Sequence, residues 1–134
     1  MAASIAGLLW QQVNLIREEA YNYANFLGEL RRFKEATSLM RKTVLVARRT
    51  LRQSDELMLK IRLGYAASLY GDPGATLDDL REAVTTIEDV ERIARRVLGG
   101  AHPLAVDFVH SLQKARAALA ARDVEALRVG AMRV

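Results

Sequence analysis

The chain repeats itself, and that repeat limits its fold more than any other feature. Residues 33–51, which begin Phe33-Lys-Glu-Ala and end Ala-Arg-Arg-Thr-Leu51, align without a gap on residues 80–98, which begin Leu80-Arg-Glu-Ala and end Ala-Arg-Arg-Val-Leu98. The preceding segments match as well: Tyr23-Ala24-x-x-Leu27 returns as Tyr65-Ala66-x-x-Leu69. The first offset is 47 (33 to 80) and the second 42 (23 to 65), so five residues are inserted in the second helix–helix turn. A period of about 20 to 50 residues built from two helices specifies a stacked solenoid, in which each unit buries its apolar face against its neighbours.

The apolar spacing agrees with this. Ser4 is placed to cap a first helix whose apolar positions Leu8, Leu9, Val13, Leu15, Ile16, Ala20, Tyr23, Ala24 and Leu27 recur at helical intervals up to about Leu30. In the second helix Phe33, Ala36, Met40, Thr43, Val44, Ala47 and Leu51 trace one stripe, which Leu80, Ala83, Ile87, Val90, Ala94 and Leu98 reproduce in the fourth. Ser54 or Asp55 caps a third helix holding Leu57, Ile61, Tyr65, Ala66 and Leu69, which stops at Gly71-Asp-Pro-Gly74. Thr76 caps the fourth, with Asp78 and Asp79 favourably placed in its first turn. Gly99-Gly100 ends it by permitting positive φ, and Pro103 opens a fifth helix with Leu104, Phe108, Leu112, Ala115 and Leu119 on one side. That helix is expected to reach about Arg122, with Asp123 capping a short last one that carries Val124, Ala126, Leu127 and Val129. No segment has a strand period. The expectation is one all-α domain: repeat 1 over about 4–52, repeat 2 over about 55–98, a closing helix over about 102–122 and a short tail over 123–134. Short connections make successive helices antiparallel neighbours.

At 134 residues, about half of them apolar, the chain can build a core as one unit. With no cysteine, disulfides and thiolate metal sites are excluded. The N-terminal apolar run stops at Gln11 without a basic leader, too short for a membrane span, which leads us to expect a cytoplasmic protein that does not engage a membrane. The net charge of +4 is unevenly spread. Arg41, Lys42, Arg48 and Arg49 make the first copy basic, whereas Asp78, Asp79, Glu82, Glu88, Asp89 and Glu91 make the second acidic. Such a basic patch suits an acidic partner or nucleic acid. No aromatic or glycine pattern accompanies the arginines to contact bases, so opposite charges that help neighbouring repeats stack in register are the simpler explanation.

A Tyr-Ala-x-x-Leu helix paired with a Glu-Ala-initiated helix, and above all Val97-Leu-Gly-Gly-Ala-His-Pro103 before the next helix, resembles the tetratricopeptide repeats of kinesin-light-chain type over nearly the whole chain. Ala24, Ala36, Ala66 and Ala83 match the family's close-packing positions. The first link, Leu51-Arg-Gln-Ser-Asp55, lacks Gly-x-x-His-Pro, the second internal turn is enlarged, and the third repeat stops after one helix. The resemblance implies a right-handed solenoid and a non-enzymatic scaffold whose concave face, lined by the first helix of each pair, takes a peptide of a partner protein. Carried over residue by residue, that face holds Glu18, Tyr21, Asn22, Asn25 and Glu29 in the first repeat, and Lys60, Leu63, Gly64, Ala67 and Tyr70 in the second. Asn22 and Asn25 are the leading candidates, because an amide offers donor and acceptor to an extended peptide backbone.

Other chemistry finds little support. His102, Asp107 and His110 form the one cluster to weigh; the histidines are not at i,i+4 spacing and His102 belongs to a pre-proline turn, so no metal site, cofactor or catalytic residue is assigned. Gly71 to Gly74 lacks the lysine and preceding strand of a phosphate loop. Ile5, Leu8, Leu9 and Trp10 at one end, with Val124, Leu127 and Val129 at the other, have no further repeat to cover them. A weak homodimer or end-to-end association through a terminal helix is therefore expected.

Overall fold

The structure is a computed structural model that describes residues 27–132. Those residues form four helices, α1 (Phe33–Ala47), α2 (Glu56–Tyr70), α3 (Leu77–Leu98) and α4 (Pro103–Met132), with a last helical turn at 27–29 before them. Among the described residues there is no strand, and no helix is long and apolar enough to cross a membrane. The expected Ser4 cap, the apolar stripe from Leu8 to Ala24 and the exposed end at Ile5 to Trp10 lie outside the described residues.

Successive helices run antiparallel. Thr37 and Arg41 of α1 meet Ser68 and Tyr65 of α2, Tyr65 and Arg62 of α2 meet Glu82 and Asp89 of α3, and Glu88 of α3 meets Arg116 of α4. Helix α2 sits centrally, packed on α1, α3 and α4. It accordingly buries Leu57, Met58, Leu59, Ile61, Tyr65, Ala66, Ser68 and Leu69, which lie around much of its circumference. Two core clusters result: Leu27, Met40, Met58, Ile61 and Ile87 belong to one, and Leu59, Val90, Ala94, Leu104 and Phe108 to the other. Burial repeats with the sequence: Ala36, Met40, Thr43, Val44 and Ala47 are buried in α1, and Ala83, Ile87, Val90, Glu91 and Ala94 are their buried equivalents in α3.

The connections explain where the elements stop. Before α1, Arg32 N–H reaches Leu27 O at 2.7 Å and Arg31 N–H reaches Gly28 O at 2.9 Å, the paired bonds of a Schellman turn. Arg31 takes the left-handed position (φ 61) that glycine ordinarily fills. At the α2 exit a methyl group on Gly71 would stand 2.9 Å from Ala67 O and 3.1 Å from Phe33 Cε1, so glycine relieves the turn's own backbone as well as the approach of the start of α1. Thr76 caps α3 in a reciprocal box, accepting from Asp79 N–H while Asp79 accepts from Thr76 N–H, each at 3.1 Å. Gly99 (φ 91) ends it.

Three expectations are corrected. Helix α1 ends at Ala47 rather than Leu51. No glycine or proline stops it, and its last turn tightens into i→i+3 bonds from Arg49 to Val46 O and Thr50 to Ala47 O, while Leu51 stays buried. Asp55 occupies the N-cap position of α2, but its carboxylate turns back to accept from Arg52 N–H at 2.9 Å instead of capping. The closing helix does not stop at Arg122 and Asp123 caps nothing, because α4 runs unbroken to Met132. Residues 119–129 contain no breaker, and an aspartate is an N-cap only where the chain has already left the helix.

Candidate functional site

Each helix of the described region leaves a different surface open. On α2 Glu56 is exposed and Lys60, Arg62, Leu63, Gly64, Ala67 and Tyr70 are half-buried; Arg62 turns to the charged cavity, and the others lie on one stripe at helical spacing. Leu63 packs against both core clusters and Tyr70 against the first, so these two present only an edge to solvent. Lys60 pairs along its own helix with Glu56 at 3.5 Å, an exposed i,i+4 contact that a ligand can replace at little cost. Gly64 and Ala67 between them make a low floor. Glu29 is exposed beside the turn into α1. The remaining expected groove residues, Glu18, Tyr21, Asn22 and Asn25, lie outside the described residues.

A second surface, charged rather than apolar, lies along α3. An open cavity of about 610 Å³ is walled by Arg62 of α2, by Glu88, Asp89, Arg92 and Arg95 of α3 and by Arg116 of α4. A smaller one of about 210 Å³ adjoins it through shared Arg62 and Thr86, and reaches Arg41 and Arg48 of α1. In the larger cavity each carboxylate has an arginine. Asp89 accepts from Arg62 and Arg92, both at 2.8 Å, Glu88 lies 3.6 Å from Arg116, and Glu91 pairs with Arg95. Burial pushes the Asp89 carboxyl up, but the hydrogen bonds and charges of Arg62 and Arg92 outweigh it and hold the group below the ordinary carboxylate value. A carboxylate held down in this way, as Asp89 is, serves poorly as a general acid or base near neutral pH.

The basic residues of α1 divide in two. Lys42, Arg48 and Arg49 are exposed. Arg41 is exposed too but engaged: its guanidinium stacks 5.6 Å from the Tyr65 ring centroid and donates to Tyr65 Oη at 3.1 Å. That hydroxyl in turn donates to Glu82 Oε1 at 2.8 Å. Burial pushes the Tyr65 phenol up, the Arg41 hydrogen bond pulls it down, and the bond to Glu82 pushes it up again, for a net rise. One arginine of the basic copy thus meets one carboxylate of the acidic copy through a tyrosine of the helix between them. The charge asymmetry here joins neighbouring repeat units.

His102 is accounted for structurally, since its Nδ1 accepts from Leu104 N–H at 3.1 Å at the start of α4. Asp107 and His110 are exposed. Among the described residues no cluster of three or more metal-ligating side chains occurs. Sequence reasoning missed two links between α2 and α3, Arg62 to Asp89 and Tyr65 to Glu82. The only available signal was that an arginine and a tyrosine at i,i+3 on a helix otherwise bound for the core need polar partners. Comparison with protein-family models, curated proteins and solved structures returns no match for this chain.

Proposed function

We propose that this chain is a non-enzymatic protein-interaction module of the tetratricopeptide type, a right-handed stack of helix pairs that holds a peptide segment of a partner protein against the open stripe of α2. The observation that carries this reading is the stripe itself. A helix packed on three neighbours keeps Lys60, Gly64, Ala67 and Tyr70 accessible in a row, with small residues in the middle where a ligand backbone can approach closely. Lys60 at one end offers a cation and Tyr70 at the other an aromatic edge with a hydroxyl, a combination that fixes the direction of a bound peptide. The matching burial of α1 and α3 at an offset of 47 (36 to 83) supports the repeat on which the groove depends. The tetratricopeptide resemblance implies that Asn22 and Asn25, which lie outside the described residues, belong to the same face in the first repeat.

Selection of peptides from a random display library with the 134-residue chain as bait tests this directly. Peptides recovered on the native protein should lose roughly ten-fold or more in affinity on Lys60→Glu, or on the double change Asn22→Ala and Asn25→Ala, with thermal stability kept. Enrichment of no peptide, or of peptides indifferent to both variants, refutes the assignment.

A further inference from the structure

The outer face of α4 supports an inference about a surface that the peptide groove does not use. In its N-terminal half Val106, Val109, Gln113 and Ala117 are all exposed, and in its C-terminal half so are Ala120, Val124, Leu127 and Ala131. Their steps of three and four residues place them on one face, distinct from the buried face of Leu104, Ala105, Phe108, Leu112 and Ala115. The exposure is large: 39% at Val106, 36% at Val109, 61% at Val124 and 76% at Leu127. Beyond Arg122 every described residue of α4 is exposed, so these last turns bury no residue against the other described elements. Isolated helices of such length are marginal in water.

We propose that this face pairs with the same face of a second copy, antiparallel, about a two-fold axis between Ala117 and Ala120. The stripe is close to self-complementary under that operation. Residues whose numbers sum to about 237 face each other, which sets Ala117 on Ala120, Gln113 on Val124, Val109 beside Leu127 and Val106 on Ala131. Small side chains at the centre let the helices approach, and the larger ones close the two ends. Charge follows the same symmetry. On the flank of the stripe away from Arg116, Asp107 and Lys114 lie in the first half and Glu125 and Arg128 in the second, all exposed. An isologous antiparallel pair brings each flank against its own copy, so Asp107 meets Arg128 and Lys114 meets Glu125, each twice. Parallel pairing would instead set this flank against the opposite one and lose that match. With four large apolar side chains per copy the interface belongs to the small, transient class.

Sedimentation of the full chain across low to high micromolar concentration tests the proposal. A monomer that becomes a dimer over that range is expected, and Leu127→Glu should abolish the dimer while leaving the unfolding midpoint of the monomer unchanged. Lys114→Glu should weaken association about three- to ten-fold at low salt, since it converts two attractive pairs into repulsive ones. Adding Glu125→Lys should restore it. Lys114 and Glu125 are three helical turns apart on one helix, beyond reach of each other, so rescue can arise only between copies. A strict monomer into the high micromolar range, a dimer indifferent to Leu127→Glu, or a failure of the charge swap to rescue would each overturn the antiparallel pairing.

Discussion

Replacing Tyr65 with Phe removes one oxygen from the junction of three helices and leaves the packing intact. The ring stays in the core, and Arg41 keeps its stacking contact because phenylalanine offers the same face. What is lost is the bond donated to Glu82 at 2.8 Å and the one accepted from Arg41 at 3.1 Å. Hydrogen bonds to charged groups contribute about 1.5–3 kcal/mol each when buried. Arg41 and Glu82 are exposed and regain water when released, so the two losses together should come to roughly 1–2 kcal/mol. In urea titration followed by circular dichroism, that is a midpoint lower by about 0.5–1 M with an unchanged slope. A double-mutant cycle with Glu82→Gln should show coupling, because both substitutions act on one bond. The phenol also supplies a pH test. Its folded-state pKa lies above the ordinary 10.0, so its stabilisation is complete below that value and is lost as pH rises through the raised one. Tyr65→Phe should remove this part of the alkaline fall in stability. A midpoint within experimental error of the native protein, or strict additivity with Glu82→Gln, would falsify the assignment of this network as a link between repeats.

Three further outcomes follow from single sites. Phe108, fully buried against Leu59, Val90 and Leu104, should cost about 3–5 kcal/mol on truncation to Ala, seen as a large drop in the denaturation midpoint. Gly99→Ala should destabilise by about 1–3 kcal/mol, because the strain lies in the φ of 91 and nothing stands within 4 Å of the added methyl; Arg31→Gly, the opposite substitution at another positive-φ position, should stabilise, and equal signs for the two would contradict the backbone argument. Asp89, held below its ordinary value of 3.8, gives stability that is present above that pH and lost as pH falls through the depressed value, so Asp89→Asn should flatten the acid limb of a stability–pH profile, and an unchanged limb would show that Arg62 and Arg92 do not hold it.

The fold was legible wherever the sequence carried a stop or a cap. Thr76 with Asp79, the Gly71 to Gly74 turn and Gly99 before Pro103 fix both ends of α3, because each residue has a backbone reason to be there. Where no such residue stands, the boundary is not encoded locally: the apolar period that carries α1 on to Leu51 tracks burial and not helicity, and Leu51 is buried outside the helix. Asp123 misled for the opposite reason, since a good capping residue within an unbroken run of helix formers is simply a surface aspartate. On the candidate site, Lys60, Leu63, Gly64, Ala67 and Tyr70 rest on the tetratricopeptide resemblance and not on any local pattern; in the structure they are half-buried at helical spacing on α2. Periodicity could not foresee that Arg62 and Tyr65 would bridge to Asp89 and Glu82, because those partners depend on the register between helices, which no local pattern encodes.

The central claim is that the open stripe of α2 is where a peptide binds, and backbone amide shifts recorded while a library-selected peptide is titrated into the labelled chain test it most directly. The account predicts that the largest perturbations cluster at Lys60, Leu63, Gly64, Ala67 and Tyr70, with Glu29 nearby, while Lys42, Arg48 and Arg49 stay in place. Perturbations confined to those basic residues and to the charged cavity along α3, with residues 60–70 of α2 silent, would contradict it.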